Sequence, residues 1–324
     1  MNKSIITIGG GSGHYALLRG LRDLQGIDIK AVVSMVDSGG STGRLRDELG
    51  ILPPGDILKC ILALSTHQEV VRTILQKRFE NDRRLKGHNA GNMLLTMLSR
   101  YTGSFPSGVA ALAEILDVRG EVLPVTIDRA TLVANLTDGT RIYGERAIDI
   151  PRGDQRGKIC DVFLVPHHSD SIKVYPPVLE AIKTADFIIL GPGDLFTSII
   201  PNLIVPGIRE ALSASPAKMI YVLNLMTKFG ETHGFKAFDF LAELEKYTGR
   251  KIDGVIYNTH KPVEAVLKKY AEQQSKFVEL DEKMSCWDNR ALYAADLLEN
   301  PENIVRHEPG KLAALLDKII SSPI

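Results

Sequence analysis

Short apolar runs alternate with amphipathic stretches through the first third of the chain. Ile5-Ile6-Thr7-Ile8 has the length and β-branched content of a buried strand. From Tyr15 to Leu24, Leu17, Leu18, Leu21 and Leu24 recur with helical spacing and form one apolar face. Ile29–Val36 reads as a second strand. Leu52-Pro53-Pro54-Gly55-Asp56 reads as a turn, with Asp56 capping a helix to about Leu64. Helical patterns follow over about Val70–Arg83 and from Gly87–Asn92 through about Tyr101. Strand–helix alternation of this kind predicts a parallel sheet with helices on both faces.

The pattern changes near residue 102. Glu121–Thr126, Thr131–Leu136 and Arg141–Ile148 look like short strands, and Asp138-Gly139 supplies a hairpin turn between the last two. The stretch 118–166 therefore reads as an antiparallel excursion. Helix Pro177–Thr184 and buried strand Asp186–Leu190 resume the α/β order. Helix Leu203–Ser213 and strands Met219–Asn224 and Gly254–Asn258 follow. The fold class expected is α/β, a Rossmann-like, doubly wound, mainly parallel sheet with a small antiparallel β insertion. The 324 residues are read as a single domain.

Composition narrows the classes of function. Apolar residues make up 44% and charged residues 24%. Lys plus Arg number 39 and so do Asp plus Glu, which leaves no net charge and no footprint of a nucleic-acid binder. Cys60, Cys160 and Cys286 form no metal or redox spacing. No apolar run approaches the ~20 residues that span a bilayer, and Met1-Asn2-Lys3-Ser4 leads into a strand rather than a signal peptide. These features predict a cytoplasmic enzyme or ligand-binding protein, with no membrane span and no nucleic-acid partner. A homodimer is a further expectation.

The candidate chemistry lies in glycine-rich loops at strand ends. Gly9-Gly10-Gly11-Ser12-Gly13 follows the first strand, and Gly11-Ser12-Gly13-His14-Tyr15-Ala16 satisfies G-x-G-x-x-A. Glycine lets backbone amides approach a ligand, and a helix start attracts phosphate. Asp37 ends the second strand, as in a dinucleotide fingerprint. That reading points to an NAD(P)-binding oxidoreductase, and the plainer one is a tight strand–helix turn. The fingerprint does not need the second loop, Ser38-Gly39-Gly40-Ser41-Thr42-Gly43, whose amides and hydroxyls suit phosphate or sugar oxygens. Arg44 and Arg46 follow it, and arginine forks suit phosphate. Asp37 could hydrogen-bond a ribose or hold Mg²⁺; the bland alternative is a solvated loop carboxylate.

Gly87–Asn92 places His88, Asn89 and Asn92 at a helix start. His88 could serve as general acid–base, donate to an anion or be structural. Asn89 could be an N-cap alone. After the buried strand come Gly191-Pro192-Gly193-Asp194-Leu195-Phe196-Thr197-Ser198. Ligands of open parallel sheets sit beyond the carboxyl ends of strands, so Asp194, Thr197 and Ser198 should share a rim with Gly9–Gly13 and Asp37. Capping before Pro201 is the alternative for Thr197 and Ser198. No P-loop, nucleophile elbow or H-E-x-x-H pair occurs, so no covalent nucleophile is evident. Asp37 and His88 are the candidates for chemistry, and His167-His168 is a weak metal candidate.

Taken in order, these stretches resemble the CofD-like superfamily, and within it the bacterial gluconeogenesis-factor family. The resemblance rests on Gly9–Gly13, Asp37–Arg46, Leu49–Asp56, Gly87–Asn92, Gly191–Leu203 and Asn224-Leu225-Met226-Thr227. Gly191-Pro192-Gly193-Asp194-Leu195-Phe196-Thr197-Ser198 is similar to the G-P-G-S-L-Y-T-S of that family rather than to the G-P-S-N-P of its transferases. Arg306-His307-Glu308-Pro309-Gly310-Lys311-Leu312 resembles the family's R-H-D-T-x-K-L ending, and Tyr270 sits where it has a tyrosine.

The resemblance implies a nucleotide-sugar ligand of the UDP-N-acetylglucosamine type. It also implies a regulatory role in carbon metabolism, cell shape and envelope synthesis. The related 2-phospho-L-lactate transferases imply an alternative, Mg²⁺-dependent transfer from a guanosine diphosphate-linked donor. On this resemblance Gly191, Pro192, Gly193 and Asn224 join the expected nucleotide site, with Arg306 and Tyr270 at its uridine-sugar end. Three departures matter. Ser38 replaces an aspartate and removes one Mg²⁺ ligand. Asp194 replaces a serine and adds negative charge near the proposed phosphates. Pro309 replaces a threonine and removes a phosphorylation site.

Overall fold

A computed structural model describes residues 2–67, 69–81, 85–153, 155–167, 169–280, 287, 290–299 and 304–322, with side chains 47–49 left out. His168, Cys286 and the expected helix end at Arg83 lie outside the described residues. Strand β1 (Lys3–Gly9) opens the chain, and Ile5, Ile6 and Ile8 are buried. It pairs in parallel with β2 (Ile27–Val33) on one side and β7 (Phe187–Leu190) on the other. A central strand is covered on both faces, which is why its sequence is nearly all apolar.

Between β1 and β2 runs α1 (Gly11–Arg22). After β2 come α2 (Gly40–Leu49), α3 (Gly55–Leu64), α4 (Glu69–Gln76), α5 (Ala90–Tyr101) and α6 (Phe105–Ile115). Strand β3 (Glu121–Pro124) then pairs in parallel with β2, placing Glu121 beside Lys30. The expected strand at Glu121–Thr126 therefore belongs to the main sheet and not to the antiparallel excursion. Its Val122 and Leu123 are buried against that sheet.

The small sheet holds β4 (Ala130–Leu136), β5 (Arg141–Tyr143) and β6 (Ile159–Pro166) in the order β5-β4-β6, all antiparallel. Asp138-Gly139 makes the expected turn, with Gly139 at φ +84°. The strand expected over Arg141–Ile148 stops at Tyr143. Gly144 at φ +92° turns the chain into the short helix α7 (Glu145–Asp149).

The second half runs α8 (Pro176–Thr184), β7, a π-helical turn (Leu195–Ile199), α9 (Ile200–Leu203), α10 (Ile208–Ala214) and β8 (Lys218–Val222). The single helix expected at Leu203–Ser213 is thus interrupted, because Pro206 and Gly207, at φ +95°, intervene. Then come α11 (Ala237–Thr248), β9 (Gly254–Asn258), α12 (Glu264–Glu272), β10 (Ala291–Ala295) and α13 (Pro309–Ser321). The main sheet has seven strands in the order β10-β9-β8-β7-β1-β2-β3, all parallel. Helix α13 packs on α1 at Gly20, where a Cβ would lie 2.4 Å from the Pro309 carbonyl oxygen. No single helix among the described residues is long and apolar enough to cross a membrane.

Candidate functional site

The strand order reverses between β1 and β7. From β1 the chain winds outward through β2 and β3, and from β7 it winds the other way. Loops at such a switch point splay apart and leave a crevice beyond the strand ends. Here the two loops also touch. A Cβ on Gly13 would lie 2.5 Å from the Pro192 carbonyl oxygen, and one on Gly10 would lie 2.8 Å from an Asp56 carboxylate oxygen. Gly10 is the N-cap of α1 and provides no side-chain cap, so the first amides of that helix face outward unsatisfied by a side chain.

A cavity of about 480 Å³ lies at this point. The β1 loop contributes Gly10, Gly11, Ser12 and Gly13, and the β7 loop contributes Pro192, Gly193, Asp194 and Ser198. Asp37, Asn224, Tyr270 and Arg306 complete the set of predicted residues that the structure brings together. Asn224 Nδ2 donates to the Gly193 carbonyl at 2.8 Å, tying the β8 end to the β7 loop. The Tyr270 hydroxyl accepts from the Val305 amide at 3.0 Å and so holds the segment that carries Arg306.

Other predicted residues lie elsewhere. Gly9 is inside β1, where its carbonyl accepts from Asn202 Nδ2 at 3.3 Å. Gly191 donates its amide to Ile8 at 3.0 Å. Thr197 is buried and donates to Glu231 at 3.1 Å. Ser38 donates its amide to Glu145 at 3.2 Å and accepts from the Arg146 amide at 3.0 Å, linking the second loop to α7. Gly39, Gly40, Ser41, Asn89 and Asn92 line a second cavity of about 380 Å³, which shares Asp37 and Lys59 with the first. His88 is buried beside it, its Nδ1 2.9 Å from Ser41 Oγ. Asn89 caps α5 by accepting from the Asn92 amide at 2.7 Å. Arg44 donates to the Lys86 carbonyl at the surface, and His167 pairs with Thr131 at 2.7 Å.

The cavity wall also holds Asp56, Lys59, Glu145, Asp149 and His307, which sequence reasoning did not place there. Lys59 bonds Asp56 at 2.8 Å. Burial pulls the Lys59 ammonium down, but Asp56 and Asp37 outweigh it and hold it above its ordinary range. Burial and then Asp56 raise Asp37 above the usual carboxylate range, against the Gly39 amide bonded to it at 2.8 Å. Burial, with Asp37 next, pushes Glu145 to about 7. His14, from the fingerprint, is a core residue bonded to Thr7 at 2.7 Å, and burial pushes it down to about 4.

At the rim Lys228 bonds Asp149, Asp194 at 2.7 Å and the wholly buried Glu231 at 3.3 Å. These three carboxylates lie close enough together to hold a cation, and the lysine ammonium bonds all three. Burial opposes the charge on Lys228, but Glu231, Asp194 and Asp149 hold it strongly protonated. Asp37 does not belong to that group. The extra charge that Asp194 brings to the β7 loop is thus offset in part within the fold, by an ammonium it shares with two other carboxylates.

The family model described as 2-phospho-L-lactate transferase CofD matches residues 5–298. A putative gluconeogenesis factor of Thermotoga maritima is 41% identical over 97% of this chain and 98% of its own length. The gluconeogenesis factor of Bacillus subtilis is 37% identical, over 96% of each chain. The crystal structure of protein BH3568 from Bacillus halodurans superposes with a TM-score of 0.90 at 36% identity, covering 98% of this chain and all of the other. On the family match over residues 5–298 and these identities over nearly its whole length, the chain belongs to the CofD family and, within it, to the gluconeogenesis factors.

Proposed function

We propose that this chain is a cytoplasmic regulator that binds a nucleotide sugar of the UDP-N-acetylglucosamine type, linked to carbon metabolism, cell shape and envelope synthesis. The observation that carries the reading is that one cavity is lined both by the uncapped start of α1 and by Tyr270 and Arg306. The uncapped start of α1, with Gly10, Gly11 and Gly13, suits a diphosphate. In the same lining, Arg306 suits phosphate oxygens and Tyr270 suits stacking on a base. The cavity volume falls in the ordinary range for small-molecule sites. The member names, gluconeogenesis factor, agree with a role in carbon metabolism.

Charge favours a bound cation. Asp37, Asp56, Glu145, Asp149 and Asp194 line the cavity, against Lys59, Arg306 and the Lys228 ammonium that bridges Asp149 and Asp194. A carboxylate about 5 Å from a phosphate oxygen costs about 3 kcal/mol at an effective dielectric of about 20. A helix N-terminus returns only about 0.3–1 kcal/mol. A diphosphate therefore needs further positive charge, which Mg²⁺ supplies. Asp37 and Asp56 would hold it, since Mg²⁺ sites use one or two carboxylates with ligand phosphates and water.

Titration calorimetry with UDP-N-acetylglucosamine, with and without Mg²⁺, tests the reading. Binding that strengthens with Mg²⁺ supports it. No heat at millimolar ligand with folded protein eliminates it. The acidic wall also suits a second reading, transfer of a phospholactyl-type group from a guanosine diphosphate-linked donor, in which the metal neutralises phosphate charge. An assay with a deazaflavin acceptor decides that case, and absence of product at high enzyme concentration removes it.

A further inference from the structure

A groove of about 530 Å³ lies at the β3 edge of the main sheet and shares no lining residue with the switch-point cavity. Helix α6 lines it with Pro106, Val109, Ala110 and Ala113, whose spacing puts them on one helix face. Two of the four are alanines, and their short side chains leave the groove open. The segment Gly120–Pro124, which contains the whole of β3, also lines it.

Strand β3 ends the strand order, so no strand among the described residues pairs with its outer side. Just past it, the Val125 amide donates to the Val33 carbonyl at 2.9 Å. Backbone groups alternate in direction along a strand, so Glu121 and Leu123 face β2 as Val125 does, and Val122 and Pro124 face outward. Val122 thus turns an N–H and a C=O away from the sheet, and Pro124 turns a C=O. No backbone bond among the described residues reaches any of the three on that side. Beyond Pro124 the edge is closed, because the Tyr175 amide donates to the Val125 carbonyl at 2.9 Å. Open edges are usually blunted, and this one is blunted only in part: β3 has four residues, and Pro124 lacks a donor.

Charge narrows the occupant. Glu114, Asp117 and Glu121 line the groove and are exposed, and its lining holds no lysine, arginine or histidine among the described residues. Asp117 accepts from the Thr66 hydroxyl, and Glu121 lies 3.7 Å from Lys30. A surface pair of that kind is weak, so the groove stays acidic. A two-fold contact between copies of this chain would set these carboxylates against one another, which disfavours a second copy as the occupant.

We infer that the groove between β3 and α6 is a docking site for an extended segment of a partner protein. That segment adds a strand to the edge, sets apolar side chains against α6 and carries lysine or arginine toward the three carboxylates. The inference goes beyond the nucleotide reading and does not depend on it.

The experiment pans a phage library of random dodecapeptides on the immobilised intact chain. The most enriched peptide is then labelled with fluorescein and titrated by polarisation. Enriched sequences should alternate apolar with polar residues and carry lysine or arginine. Ala110 is exposed on α6, where arginine suits the helix. Ala110→Arg should keep the melting temperature and weaken binding at least about tenfold, as one displaced apolar anchor predicts. Glu114→Lys combined with Glu121→Lys should weaken it by a similar factor at low salt and by less at high salt. Two further forms of the peptide carry N-methyl groups on alternate amides, in opposite phase. Only one phase faces β3, so one form should lose at least about tenfold in affinity and the other less than about threefold. Failure to enrich any peptide overturns the inference, as does a peptide that binds Ala110→Arg as well as the intact chain. Equal affinity of the two N-methylated forms means that no strand is added, and it also overturns the inference. The N-methylated pair is read on the intact chain, which keeps the test valid should Ala110→Arg fail to fold.

Discussion

Substitution of Gly13 by alanine tests whether the contact between the β1 and β7 loops shapes the site. The new Cβ would meet the Pro192 carbonyl oxygen at 2.5 Å, the Pro192 carbonyl carbon at 2.8 Å and the Gly193 amide at 3.1 Å. All three are backbone atoms, so no side chain can rotate away. Reaching ordinary contact at 3.4 Å requires the loops to part by about 0.9 Å. Overpacking of this kind costs about 1–3 kcal/mol. With an unfolding entropy of about 2.1 cal/mol/K per residue, a chain of this length loses about 2–4 °C in Tm. The same displacement takes the α1 amides off the phosphate, and one or two charged hydrogen bonds lost reduce affinity about 10- to 100-fold. Gly26→Ala is the control: Gly26 has φ +73° and no atom within 4 Å of a built Cβ. It costs about 1–2 kcal/mol of backbone strain and leaves affinity unchanged. Differential scanning fluorimetry and calorimetry with UDP-N-acetylglucosamine measure both variants. Gly13→Ala with wild-type Tm and affinity would refute the loop-contact argument.

Three further predictions concern the charges around the cavity and the segment that carries Arg306. Lys228→Met removes the ammonium from Asp149, Asp194 and buried Glu231; because that lysine is 30% exposed, urea unfolding should register a loss of only about 2 kcal/mol. Adding Asp194→Ser should recover part of that loss, and no recovery would mean that Asp194 is not the partner that matters. Glu145 has its folded pKa raised to about 7 from 4.5. The unfolded chain therefore ionises first, and stability falls as pH rises from about 4.5 to 7. Glu145→Gln should match wild type at pH 4.5 and exceed it by about 1–2 kcal/mol at pH 8, a figure discounted for partial exposure. Equal stability at both pH values would count against a buried, repelled carboxylate. Tyr270→Phe keeps the ring but loses the bond to the Val305 amide. Nucleotide affinity should fall about threefold to tenfold without a change in Tm above about 2 °C, and an unchanged affinity would show that the hydroxyl does not hold the Arg306 segment.

The parallel sheet was legible because buried central strands carry continuous apolar runs, as at Ile5–Ile8 and Phe187–Leu190. The glycine loops were legible because close backbone approach leaves few alternatives to glycine, as at Gly13. The misread elements have local causes. Glu121–Thr126 reads as a strand, but only long-range pairing with β2 reveals its place in the main sheet. Gly144 ends β5 where the apolar pattern runs on through Ala147 and Ile148 into α7. Strand β6 and helices α11 and α13 were missed, although the apolar spacing of Leu312, Leu316 and Ile319-Ile320 could have marked the last. In the site, rim residues that follow strands were predictable from chain order. Asp56, Glu145, Asp149 and His307 were not, since they reach the cavity from different layers. Two sequence signals were available but ambiguous: Asp56 and Lys59, and Lys228 and Glu231, have the spacing of ion pairs on a helical turn.

Departures from the family pattern become intelligible in the fold. Asp194 is answered by Lys228 at 2.7 Å. Ser38, standing for an aspartate, is bonded by Glu145 and Arg146, so α7 closes over the second loop and brings a carboxylate of its own to the cavity. The acidic wall is therefore kept by different residues.

The most direct test of this account is a crystal structure of the chain with UDP-N-acetylglucosamine and Mg²⁺. The account predicts the diphosphate over the amides of Gly10–Gly13, Arg306 on its phosphate oxygens, and the base on the Tyr270 ring. A ligand bound away from the β1–β7 switch point, or lying there with its base on the glycine loop, would contradict it.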